Sequence, residues 1–112
     1  MSIKVGSEVV ATDAEGYLVD PETWNNEAAE ALARSEDIVL TEDHWTVIAF
    51  MREYYESHQI AVDVRHVLKH LSARLAPGAS ARNHLYQLFP YGYVKQACKI
   101  AGMRRPRAWS TG

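Results

Sequence analysis

The chain contains a single cysteine, Cys98, with Lys95 three residues before it and Lys99 immediately after it. A thiolate is the nucleophilic form of cysteine and the one that exchanges with other sulfur groups. Cations beside a thiol lower its pKa and favour that thiolate. The same cysteine also falls on an apolar stripe with Val94, Ala97 and Ala101. At such a position a free cysteine is ordinarily a small buried hydrophobe, and both lysines can equally point to solvent. Cys98 is therefore the one candidate reactive thiol in the chain, with a packing role as the competing reading.

His66 and His70 are four residues apart, a spacing that puts two ligands on one helix face. Only His84 could join them through folding, so surface histidines are the favoured reading, and neither metal nor cofactor is expected. No Ser-His-Asp arrangement, Gly-rich phosphate loop or zinc-cysteine pattern is present.

The last ten residues, Met103 to Gly112, carry Arg104, Arg105 and Arg107, with Pro106 among them and Trp109 beyond. Proline bars a regular helix through this cluster. Nothing here has an apolar period, so the segment reads as an extended, flexible arm. Three arginines suit an acidic groove or a phosphate backbone, and Trp109 is either a hot spot for a partner's pocket or simply a disordered or locally packed tail residue.

These residues need a scaffold, and the rest of the chain predicts one. Val5 and Val9-Val10 flank Gly6-Ser7, a pair fit for a tight hairpin turn within Ile3 to Val10. Tyr17-Leu18-Val19 is a candidate third strand. Asn26 caps a predicted helix running to about Ser35, and Thr41 caps one reaching about Ser57. The second carries Trp45, Val47, Ile48, Phe50, Met51, Tyr54 and Tyr55 almost all round, as a central buried helix would. Asp63 caps a third, with Val64, Val67, Leu68 and Leu71 on one stripe, and Ala76-Pro77-Gly78 breaks it. A fourth groups Leu85, Leu88 and Phe89, and a fifth bears the Cys98 stripe and ends at Gly102. The predicted fold is mostly α: a small N-terminal β-hairpin region (1–20) on a five-helix bundle (21–102), then the arm (103–112), in one domain.

Length and composition agree. At 112 residues and 47% hydrophobic, the chain is the size of one domain with a modest core. No stretch is apolar enough to span a bilayer, and Met1 to Gly6 lacks the apolar run of a secretory signal. With one cysteine no internal disulfide can form, so the expected location is the cytoplasm. The net charge of −2 hides a division: all 14 acids lie between Glu8 and Asp63, and nine of the 12 Lys/Arg residues follow Asp63. The halves either neutralise one another on folding, or the basic half attracts an acidic partner or nucleic acid. The alternative function is thus a helix-turn-helix nucleic-acid-binding regulator, with Arg65, Lys69, Arg74, Arg82 and the arm arginines on phosphates.

Several motifs in order resemble the DsrC/TusE sulfur-relay family. The run Leu85 to Gly92 (LYQLFPYG) followed by Lys95 to Gly102 (KQACKIAG) is similar to its signature. Asp13 to Leu18, Leu40 to Trp45, Arg52 to Tyr55 and Ile60 to Arg65 are similar to its upstream segments. The resemblance implies the hairpin-on-bundle fold and a terminal arm. It also implies a job: accepting sulfur as a persulfide on a cysteine near the end of the arm and delivering it to a partner. The implied partners are TusBCD/DsrEFH-like relay proteins and a sulfurtransferase or sulfite-reductase-like enzyme, in tRNA thiolation or dissimilatory sulfur metabolism. At the decisive place the chain departs from the family. Trp109 stands in the slot of the terminal cysteine, and Tyr93 replaces the proline after the glycine. Cys98 matches the second cysteine, which DsrC-type members have. The expectation is therefore a docking or regulatory variant that is at most a sulfur-carrier component through Cys98, and not a stand-alone enzyme. Lys95, Lys99, Arg104, Arg105, Arg107 and Trp109 are its candidate partner-binding residues.

Overall fold

Gly6 has a φ of +59°, and this left-handed turn joins two four-residue strands, β1 (Ser2–Val5) and β2 (Glu8–Ala11). They pair antiparallel with Ser2 opposite Ala11 and Val5 opposite Glu8. Val5 and Val10 turn into the core, while Val9 stays exposed, the alternation that a half-buried hairpin requires. The computed structural model describes residues 1–76 and 78–104. Pro77, Arg105, Pro106, Arg107 and Trp109 lie outside the described residues.

The expected third strand is reduced to a single bridge between Thr12 and Leu18. Asp13 accepts backbone N–H bonds from Glu15 and Tyr17, which curls the chain into a turn. Tyr17 and Leu18 are then committed to the core rather than to a ladder. A 3-10 turn, Pro21–Thr23, follows, with Asp20 accepting from Glu22 N–H.

Helix α1 (Asn26–Ser35) is capped by Asn25, one residue before the expected cap, through a 2.8 Å bond from Ala28 N–H. Helix α2 (Glu42–His58) starts after Thr41, whose N–H donates to His44 Nδ1 at 3.0 Å. An N–H can only donate, so His44 Nε2 carries the hydrogen that meets Leu88 O at 2.7 Å. Only one face of α2 is fully buried (His44, Val47, Ile48, Met51); Trp45, Phe50, Tyr54 and Tyr55 are half-buried. The expectation of burial all round is corrected accordingly. Histidine rings stack on that aromatic flank: His70, from the next helix in the chain, on Phe50 at 4.3 Å, and His58 of α2 itself on Tyr54 at 4.0 Å.

Helices α3 (Val64–Ser72) and α4 (Ala81–Leu88) are capped by Asp63 and Ser80 and bury the predicted stripes. The last helical segment differs from expectation. Tyr93–Ala97 is a π turn, and only Cys98–Ile100 (α5) is regular α-helix. A π turn is one residue wider than an α turn. Within it Gln96 is buried and Val94 only partly so, while Ala97, Cys98 and Ala101 of the predicted stripe are all buried. Among the described residues no helix is long and apolar enough to cross a membrane.

Candidate functional site at the root of the C-terminal arm

The last carbonyls of any helix lack intrahelical partners. At the end of α5 four successive ones are satisfied. Cys98 O accepts from Met103 N–H at 3.0 Å, and Lys99 O accepts from Gly102 N–H at 3.1 Å. This bond pair, with Gly102 at φ +77°, is a Schellman ending. Ile100 O accepts from Trp24 Nε1–H at 2.9 Å, and Ala101 O from Arg52 Nη1–H at 3.2 Å. Both donors come from distant segments. Arg52 also donates to Pro21 O at 3.2 Å and lies over the Trp24 ring, 4.6 Å from its centroid. Burial lowers the pKa of the Arg52 guanidinium, and the Glu56 and Glu22 carboxylates oppose that shift.

Met103 is 1% exposed and belongs to the core. The boundary of the arm is corrected to Arg104, the first exposed residue after the turn. The physical reason is the Schellman ending itself, which folds the residue after the glycine back onto the helix. Gly102 followed by Met103 was the available signal.

Cys98 is fully buried. Burial pushes its thiol up to about 12, with a hydrogen bond to Tyr93 acting more weakly in the opposite direction. The Tyr93 hydroxyl donates to Val62 O, and burial raises its pKa as well. The flanking lysines do not supply the activating charge considered from the sequence. Lys95 is exposed, whereas Lys99 Nζ is 3.1 Å from Glu36 Oε2 and 5.3 Å from the Tyr17 ring centroid. Glu36 Oε1 also accepts from Gln96 at 3.2 Å, and Gln96 Oε1 accepts from Tyr91 N–H at 2.8 Å. Glu36 is the residue that sequence reasoning missed here. A groove of about 770 Å³ opens over this cluster, lined by Glu15, Tyr17, Glu36, Tyr91, Val94, Lys95 and Lys99. Tyr91 is 73% exposed at its rim.

The candidates thus divide. Lys95 and Lys99 share the groove, Cys98 is sealed beneath the same segment, and Arg104 marks the exit of the arm. Arg105, Arg107 and Trp109 lie outside the described residues. His66 and His70 pack beside α2 aromatics, and the described residues contain no group of three His, Cys, Asp or Glu suited to a metal.

A family model described as "DsrC like protein" matches residues 4–108. The chain belongs to the DsrC-like family. It is 40% identical over 97 residues to a sulfurtransferase TusE of Pectobacterium atrosepticum, covering 87% of this chain and 89% of that one. Its fold matches the oxidized gamma-subunit of the dissimilatory sulfite reductase (DsrC) from Archaeoglobus fulgidus with a TM-score of 0.87 at 35% identity, covering 97% and 99% of the two chains. The DsrC of Allochromatium vinosum matches with a TM-score of 0.83 at 40% identity, over 97% of this chain and 99% of that one. This DsrC-like chain is therefore a sulfur-relay family protein. The helix-turn-helix alternative finds no support in these relatives.

Proposed function

We propose that this DsrC-like chain takes part in intracellular sulfur trafficking as a docking or regulatory member and not as a sulfur carrier. Its partners are relay complexes of the TusBCD/DsrEFH kind or a sulfite-reductase-type enzyme. It engages them through Arg104, Arg105, Arg107 and Trp109 of the arm, with Lys95 and Lys99 at the groove. What supports this is the state of its only cysteine: Cys98 is fully buried, with its thiol pushed up to about 12. Persulfide transfer requires a thiolate within reach of the donor sulfur, and such a thiol offers neither the charge nor the access. The arm end, where the resemblance places the carrier cysteine, has Trp109. An indole cannot carry sulfane sulfur but can anchor an arm in a pocket.

The test has two arms. Incubation with a persulfide donor, followed by intact-mass measurement, is expected to show no added sulfur under conditions that load a two-cysteine relative. An adduct that is lost in Cys98→Ser would establish the carrier role instead. Binding to a purified TusBCD-type complex is expected to weaken at least tenfold when residues 104–112 are removed. Salt separates the contributions: a contact dominated by the arginines declines steeply with ionic strength, while one gripping Trp109 retains more affinity. If the truncated chain binds as well as the intact one, the docking role of the arm is wrong.

A further inference from the structure

We infer that Trp24 and Arg52 are positioning residues for the arm: they hold its root and so set the direction in which it leaves the bundle. This rests on the docking function proposed above, whose working end is the arm.

A helix ending needs neither residue. The Schellman turn already satisfies Cys98 O and Lys99 O from the local backbone. The next two carbonyls, Ile100 and Ala101, sit where water or any local cap would serve. Instead they receive a rigid indole from 76 residues upstream and a planar guanidinium from 49 residues upstream. The indole and the guanidinium fork are each planar and rigid, and they stack on each other at 4.6 Å. Arg52 also bonds Pro21 O, so one side chain ties the 3-10 turn, α2 and the arm root together. The arrangement leaves Arg52 Nε buried without an acceptor among the described residues. An apolar side chain would fill the space without that cost, so packing alone does not explain the choice.

The consequence follows from spacing. Trp109 is five residues beyond Arg104, at most about 18 Å away at full extension. A root held at Ile100, Ala101, Gly102 and Met103 limits where Trp109 can be presented. That limit raises its effective concentration at a partner surface that the groove side of the bundle has already met.

Trp24→Phe keeps an aromatic ring at this position and removes the Nε1–H donor together with part of the ring surface. Arg52→Lys keeps the charge and removes the two-carbonyl fork. Each is made in a chain carrying spin labels at Ser57→Cys and Arg104→Cys, both exposed positions, while buried Cys98 stays unlabelled. Pulsed dipolar spectroscopy is expected to show the label-to-label distance distribution broadening at least twofold, with the far-UV circular dichroism unchanged. Without labels, each variant is expected to bind the TusBCD-type complex at least threefold more weakly. In a chain ending at Met103 the same substitutions should leave residual binding unaltered. A distribution as narrow as that of the parent chain overturns the inference. So does an equal loss of binding with and without the arm. If truncation alone costs no affinity, the docking function fails, and the distance measurement still decides whether the root is held.

Discussion

Trp24 lies directly against Gly102: a Cβ built on that glycine would stand 2.4 Å from Trp24 Cδ1 and 2.8 Å from Trp24 Cβ. Gly102 is required twice over, by its φ of +77° and by the indole that covers it. Gly102→Ala is expected to destabilise the protein by about 2–4 kcal/mol, combining left-handed strain with forced repacking. Urea denaturation measures this. A loss below about 1 kcal/mol would show that Trp24 moves aside freely.

Met103 and Arg104 mark the border between core and arm, so two truncations should separate. Ending the chain after Met103 is expected to leave the thermal midpoint nearly unchanged. Ending it after Gly102 also removes a core side chain that is 1% exposed. That second truncation should cost a further 2 kcal/mol or so, in the range of a large-to-small core change. Thermal melts of the two chains compare them directly.

The raised Cys98 pKa has a consequence for stability. The folded thiol titrates near 12 against an ordinary value of 9.0. The native state therefore holds the proton more tightly than the unfolded state. The linked stability is fully present below pH 9 and is lost as pH rises from about 9 toward 12. Tyr93, also raised, adds to the loss at the upper end of that window. Cys98→Ala is expected to flatten the stability profile between pH 9 and 11 relative to the parent chain. A parallel profile would count against burial of the thiol.

A thiol closed in this way should also be slow to react. At pH 8 a water-soluble thiol reagent is expected to label native Cys98 at least a hundredfold more slowly than in urea, because reaction waits for local opening. Labelling at comparable rates in both conditions would mean that the thiol is accessible, and would restore the carrier role as the better reading.

Glu36 accepts from Lys99 at 3.1 Å and from Gln96 at 3.2 Å, joining the residue after α1 to the helical segment above the groove. Glu36→Ala is expected to cost about 1 kcal/mol, since the pair is partly exposed and the Gln96 amide loses an acceptor. Chemical denaturation checks the cost. Acetylation of Lys99 should speed up in the variant, because its amine is no longer held.

Local sequence was enough for the hairpin and for the first four helices. Gly6 at a hairpin turn, the caps at Thr41 and Asp63, and the stripes of α3 and α4 each depend on residues within a few positions of one another. The motifs from Leu85 to Gly102 were enough for the family. What spacing could not report was anything decided by a contact across the fold. The wider turn at Tyr93–Ala97 was not readable from an α period: Ala97, Cys98 and Ala101 are buried as the stripe predicts, but Gln96 is buried with them and Val94 is only partly covered. The lysines beside Cys98 looked like activating charges, but Glu36, 63 residues before Lys99, takes up one of them. Trp24 and Arg52 carried no signal linking them to the arm, because each meets its carbonyl across 76 and 49 residues. Caps and periodicity are properties of a few neighbouring residues. Burial of a thiol and capping of a carbonyl from another element exist only once distant segments pack together.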